Sequence, residues 1–284
     1  MLRDATTGNW IGSFSGHKGA VWSCHLDPTG SLAATASGDF SAKLWDAITG
    51  RALCDFSHKH ICKTCDFSPD SLQLATGGHE GLVRVYKLKE ALDRRNEEEK
   101  ADGAAAAAKP WLTLSHDGVV ITKVGWWTNE ILIAAGADGT IRFWKIAENE
   151  TEPMNVLQVD AEVRDMEIRT LAKTGRDILT VAAGNKVSFF DLHDKQLIHA
   201  YPMPIHFRDE GGASLHPDGH KFVAGGSDLW VRVFCFETGQ ELECHKGHHG
   251  PIRCLRYAPD GKTYATGSED GTIRLWKTDV EESQ

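Results

Sequence analysis

A histidine, a hydroxyl and a carboxylate occur twice in the same frame of this 284-residue chain: His17, Thr35 and Asp39, then His248, Thr266 and Asp270. Each set ends on a tryptophan, Trp45 or Trp276. A base, a nucleophile and an orienting acid could build an acyl-transfer triad. A catalytic constellation needs one copy, however, and this one repeats with identical spacing. The better chemistry is structural: a hydrogen-bond chain through the four residues would satisfy the indole N–H inside a sheet. Cys62-Lys63-Thr64-Cys65 has the spacing of a redox pair or a zinc half-site. Its counterparts, Val21 and Cys24, then Ile252 and Leu255, are first-strand apolar positions. Residues three apart in a strand point to opposite faces, so without a bulge the two thiols cannot chelate together. Phosphate-cradling and nucleophile-elbow motifs are missing from the sequence. These readings predict no catalytic site, no metal and no cofactor.

The elements that position these residues follow from a repeat. GHKGAVWSCHLDPTGSLAATASGDFSAKLWDAITG (16–50) aligns without gaps with GHHGPIRCLRYAPDGKTYATGSEDGTIRLWKT (247–278). The aromatic at Trp45 comes round again as Tyr86, Trp144, Phe190, Phe234 and Trp276, at spacings of 41, 58, 46, 44 and 42. A period of about 40–45 ending in a Trp-Asp-like pair is the WD-repeat signature. Short apolar runs split by Gly38-Asp39 or Glu269-Asp270-Gly271 read as the strands of four-stranded blades, which stack radially. The expected fold is an all-β WD-repeat β-propeller, a single domain over 1–284. Leu2–Gly8 matches Leu44–Gly50, so the chain opens late in a third strand, with Asn9–Phe14 as the fourth. A seven-blade type with an incomplete first blade is expected; a closed six-blade ring, with Asn9–Phe14 paired to the last unit, is the alternative. The long spacing holds a charged, Ala-rich insertion at about 88–109, read as a solvated loop or a docking arm. Trp276→Ala is expected to cost on the order of 3–5 kcal/mol as a core deletion.

Charge and composition narrow the partners. A net charge of −9 and a pI near 5.9 argue against sequence-specific nucleic-acid binding through phosphates. The sequence has no apolar run of ~18 residues, and the N-terminus lacks a secretory pattern. Seven cysteines without such a signal read as free thiols. Partner contact is expected from the residue that follows the first inward apolar position of each first strand. In register these are Trp22, Lys63, Thr122, Arg164, Gly211 and Arg253. One aromatic and three basic side chains suit an acidic peptide. Trp230, standing where the last repeat has Thr272, is a further exposed candidate.

Several segments go beyond a generic repeat. GHKGAVWSC (16–24), DFSAKLWDAITG (39–50), HKHICKTCDFSPD (58–70), KFVAGGSDLWVRVFCFETGQEL (221–242) and the last repeat closely resemble the serine-threonine kinase receptor-associated, or Unr-interacting, family. The likeness is strong over about 1–85 and 202–278. It implies a seven-blade scaffold in the survival-of-motor-neuron (SMN) complex, which assembles spliceosomal small nuclear ribonucleoproteins for mRNA splicing. Gemin-type or RNA-binding protein partners, a receptor-signalling role, a monomer within a larger complex, and residence in cytoplasm and nucleus come with that resemblance. The i subunit of translation initiation factor 3 also carries G-H-x-G-A-V-W and G-H-x-G-P-I. Asp39–Asp46 and His58-Lys59-His60-Ile61 favour the receptor-associated family.

Overall fold

The computed structural model describes residues 1–5, 7–93, 108–147, 150–207 and 211–278. Two compact units divide the chain, Met1–Gln158 and Val159–Gln284. The first opens with a two-stranded sheet, β1 (Leu2–Arg3) and β2 (Trp10–Gly12). Three four-stranded antiparallel blades follow. The first blade is β3 (Val21–Leu26), β4 (Leu32–Ser37), β5 (Ser41–Asp46) and β6 (Ala52–Ser57). The second is β7 (Cys62–Phe67), β8 (Gln73–Gly78), β9 (Leu82–Lys87) and β10 (Leu112–Ser115). The third is β11 (Ile121–Trp126), β12 (Ile131–Gly136), β13 (Thr140–Lys145) and β14 (Asn155–Gln158).

The second unit holds the fourth blade, β15 (Val163–Thr170), β16 (Asp177–Ala183), β17 (Lys186–Asp191) and β18 (Leu197–Pro202). The fifth is β19 (Gly212–Leu215), β20 (Lys221–Gly225), β21 (Trp230–Cys235) and β22 (Glu241–Lys246). The sixth has three strands, β23 (Ile252–Tyr257), β24 (Thr263–Ser268) and β25 (Ile273–Lys277). Six blade sheets are therefore present among the described residues, without a complete seventh. The β1–β2 pair takes the register of a blade's last two strands: Leu2 faces Gly12 as Leu44 faces Cys54.

Local chemistry sets the hairpins. The Asp27 carboxylate accepts from the Thr29 hydroxyl (2.6 Å) and the Leu32 amide (2.7 Å), and Gly30 supplies a φ of 69°. This Asx-type turn reverses the chain between β3 and β4. Within each unit the blades pack face to face through their first strands: β7 lies against β3 and β11, and β19 against β15 and β23. The cores are the layers between blades. Ala34, Leu44 and Phe56 of the first blade meet Cys62, Cys65, Phe67 and Tyr86 of the second. Val83, Val85 and Leu114 of the second meet Val124, Trp126 and Trp144 of the third. Phe189, Phe222 and Phe234 fill the layer between the fourth and fifth.

The bulge needed to bring Cys62 and Cys65 together does exist, at Lys63. Both thiols are fully buried in one apolar layer. Burial pushes Cys62 up to about 12 and Cys65 well above the usual thiol range, so both rest as protonated core thiols. The described residues contain no cluster of three or more His, Cys, Asp or Glu able to hold a metal. Most of the 88–109 insertion lies outside the described residues. Its near end is a helical turn over 88–93 whose Leu88 and Ala91 pack on the first interblade layer, and Ala108 at its far end packs there too. None of the described helices is long and apolar enough to cross a membrane.

Candidate partner-docking site

The duplicated triads are closed hydrogen-bond chains. In the first blade Trp45 Nε1 donates to Thr35 Oγ1 (2.8 Å), which lies 2.7 Å from His17 Nε2, and His17 Nδ1 lies 2.8 Å from Asp39. The Asp39 carboxylate can only accept, so His17 donates Nδ1–H to it, and Thr35, which accepts from the indole, gives its own proton to Nε2. The sixth blade repeats this with Trp276, Thr266, His248 and Asp270 at 2.8, 2.7 and 3.1 Å. Burial raises the Asp39 carboxyl, but hydrogen bonds from Ser41, the Lys18 amide and His17 outweigh it and hold the group well below the usual range. Asp270 is held low by Thr272, the His249 amide and His248. The hydroxyls are buried and spent on the chain, so they cannot attack a substrate. Trp276 is only half-buried, on an edge strand. The full cost expected of its removal therefore belongs to Trp45, which is completely buried.

The other blades keep parts of the chain. In the second, Glu80 and Arg84 pair, Arg84 donates to His58 Nδ1 (2.6 Å), and His58 Nε2 lies 3.1 Å from Thr76 Oγ1. In the third, Ala134 occupies the place of Thr35. Trp144 Nε1 is buried with no hydrogen-bond partner, and His116 Nε2 turns to Thr140 (2.8 Å). Ala134→Ser should supply the missing acceptor and raise unfolding free energy by roughly 1 kcal/mol, the net worth of one hydrogen bond. Denaturant unfolding checks this; a loss of stability would mean the layer has no room for the oxygen.

Five of the six register positions are the extra residue of a first-strand β-bulge: Trp22, Lys63, Thr122, Arg164 and Arg253. A bulge re-aims its extra side chain out of the ladder. Gly211 precedes β19 with a φ of 113°, and a Cβ there would lie 2.6 Å from the Gly225 carbonyl, so only glycine fits. In the first unit Trp22 is 42% exposed, and Lys63 Nζ sits 5.3 Å from its ring centroid. Thr122 corrects the expectation: it is buried and donates its hydroxyl to the Ala135 carbonyl (3.2 Å), so it offers nothing to a partner. In the second unit Arg164 pairs with Glu162 (2.7 Å) and Arg253 with Glu269. Trp230 is partly exposed, with Lys246 Nζ 4.3 Å and the Arg232 guanidinium carbon 5.3 Å from its ring.

Three surface rings were not anticipated. Phe40, at a φ of 67°, is 46% exposed and 5.5 Å from His60, which stacks on His79 at 5.1 Å and 7°. In repeat register His60 and His79 stand where the first repeat has Gly19 and Gly38. A large ring in a turn-glycine position was the available signal.

A polar ladder along the first strands was also missed. Asp66 accepts from the Trp126 amide (2.9 Å) in the next blade, and Glu167 from the Leu215 amide (3.0 Å). Ser214 accepts from the Tyr257 amide (3.0 Å), and Arg256 grips Asp165 through two bonds (2.6 and 2.7 Å). The Asp165 carboxylate runs so close over Gly212 that a Cβ there would lie 2.1 Å from it. These charges tie blade to blade. A shallow surface depression in the second unit, beside Glu243, His245 and Tyr264, encloses no room for a small molecule.

The WD domain, G-beta repeat family profile matches residues 8–46, 51–87, 108–145 and 239–277. The serine-threonine kinase receptor-associated protein of Dictyostelium discoideum is 39% identical over 279 residues, 98% of this chain and 86% of the relative. The chain belongs to the serine-threonine kinase receptor-associated protein family of WD-repeat proteins. The Homo sapiens member is 39% identical over 280 residues, covering 99% of this chain and 73% of that protein. Eukaryotic translation initiation factor 3 subunit I of Drosophila grimshawi is 28% identical over 287 residues, a more distant relative. Family membership makes the fold class an all-β WD-repeat β-propeller, the class the repeat period predicts, and its sheets are the blades described above.

Proposed function

We propose that the chain is a non-catalytic docking scaffold, working as one WD-repeat domain in the assembly of spliceosomal ribonucleoproteins within the SMN complex, with a second role in receptor signalling. The observation that carries the scaffold reading is the contrast between its two sets of polar residues. The His–Thr–Asp sets are duplicated and consumed inside blades, whereas bulges turn aromatic and basic side chains outward. The likeness to the receptor-associated family supports the assignment to RNA-protein assembly and to cytoplasm and nucleus. Affinity purification of the tagged chain is expected to recover SMN, Gemin or Sm-type proteins. Recovery of initiation-factor subunits alone would overturn that assignment in favour of the more distant relative's role.

A further inference from the structure

The outward rings of the first unit form one continuous surface. Lys63 lies over Trp22; the His79 amide donates to the Ile61 carbonyl (3.0 Å), two residues from Lys63; His79 stacks on His60; His60 meets Phe40. The backbone beneath is closely fitted, since a Cβ on Gly38 would touch Trp22 Nε1 at 3.4 Å. Two exposed rings on a fitted backbone lose little conformational entropy on binding. The neighbouring carboxylates are turned inward: Asp39 serves His17, the Lys18 amide and Ser41, and Glu80 serves Arg84 and the Lys59 amide. Lys18 and Lys59 stand exposed on the same loops. A patch of cations, imidazoles and bare aromatic faces thus stands on a chain whose net charge is −9.

Deepening the scaffold reading, on which it rests, we propose that Trp22, Phe40, His60, Lys63 and His79 form the docking site for a short acidic peptide segment carrying an apolar anchor residue. The anchor packs on the Trp22 and Phe40 faces, and its flanking carboxylates meet Lys63 and the imidazoles. An acidic peptide is favoured over nucleic acid for a reason of scale. A phosphate backbone needs a long basic track, while the cations here, Lys18, Lys59 and Lys63, serve one small surface.

The test is a peptide array of 12-mers in which Asp/Glu content and a central Leu or Phe vary independently, probed with the full chain. The best peptide is then measured by fluorescence polarisation. Trp22→Ala and Lys63→Glu should each weaken it at least tenfold, Trp22→Phe and Lys63→Arg should restore most of the affinity, and Trp230→Ala should change it less than twofold. Unchanged melting curves show that the variants are folded. Retention of no acidic peptide, wild-type affinity in Trp22→Ala and Lys63→Glu, or tighter binding of oligouridylate than of any peptide would each overturn the proposal. Purification of SMN-type partners separates the two readings. If wild type and Trp22→Ala recover them equally, the scaffold stands and this site is wrong; if wild type recovers none, the assembly reading fails whatever the peptides do.

Discussion

Replacing Trp45 by alanine is expected to lower the unfolding free energy by about 3–5 kcal/mol, the range for deleting a large aromatic from a core. Its ring is completely buried, flanked by Phe14 at 5.6 Å and His17 at 6.0 Å, with Ala33 and Ala47 against it. Ala33 and Ala47 are too small to fill the hole, and His17 is held in place by Thr35 and Asp39, which keeps the cavity penalty high. The indole N–H also fixes the Thr35 hydroxyl, and through it the His17–Asp39 pair that pins the loop entering the first blade. Trp45→Phe should fall between wild type and alanine, because it keeps most of the volume and loses the donor. Trp276 makes the same bond from a half-exposed edge strand, and its replacement by alanine should cost about half as much, since less area leaves water. Equilibrium denaturation of the four proteins gives the order. A Trp45→Ala change under 1 kcal/mol, or one smaller than that of Trp276→Ala, would mean the chain of bonds does not hold the blade.

How far the sequence disclosed the molecule depended on whether a signal repeats. The blades at 16–57 and 247–277 announce themselves, because glycine turns, the histidine, the aspartate and the tryptophan all stand in one frame. Residues 146–238 match no repeat profile segment, yet eight strands, β14 to β21, form there. What makes a blade is apolar alternation between hairpin turns at the right spacing, and Phe190 and Phe234 fill the space of the tryptophan without needing its partners. The cost of that drift is visible in Thr180, which sits where Thr35 sits and is buried with an unpartnered hydroxyl. The register also located the bulge residues, although it could not tell that Thr122 turns inward while Trp22 does not. That depends on one local acceptor, the Ala135 carbonyl. The interblade ladder of Asp66, Glu167, Ser214 and Arg256 was illegible because each member is a different residue type reaching a different strand. Only the packing of neighbouring blades makes them one feature.

Acidification from pH 7 to about 4.5 is expected to destabilise the chain before Asp39 or Asp270 titrates, and the two histidines pushed down furthest, His58 and His116, are chiefly responsible. His116 is fully buried, and burial together with the nearby Arg142 charge lowers it to about 4. His58 moves the same way, through burial and the Arg84 charge, with Glu80 opposing. In the unfolded chain both protonate near the usual value of 6.5. Between those limits the unfolded state binds protons that the folded state refuses, so unfolding free energy falls as pH drops. The stabilisation is intact above about pH 6.5 and gone by about 4. At 1.36 kcal/mol per pH unit, His116 alone accounts for about 2–3 kcal/mol. Asp39 and Asp270 do the opposite: their depressed carboxyls stabilise the fold above about 4 and lose that effect only below it, so the two windows separate cleanly. His116→Gln keeps a neutral polar group in place and removes the titration. Its stability should change less between pH 7 and 4.5 than that of the wild type, by about the His116 share. Urea unfolding at half-unit pH steps gives both slopes. Parallel profiles for the two proteins would show that His116 is protonated as readily in the folded state as in the unfolded one, which its burial beside Arg142 forbids.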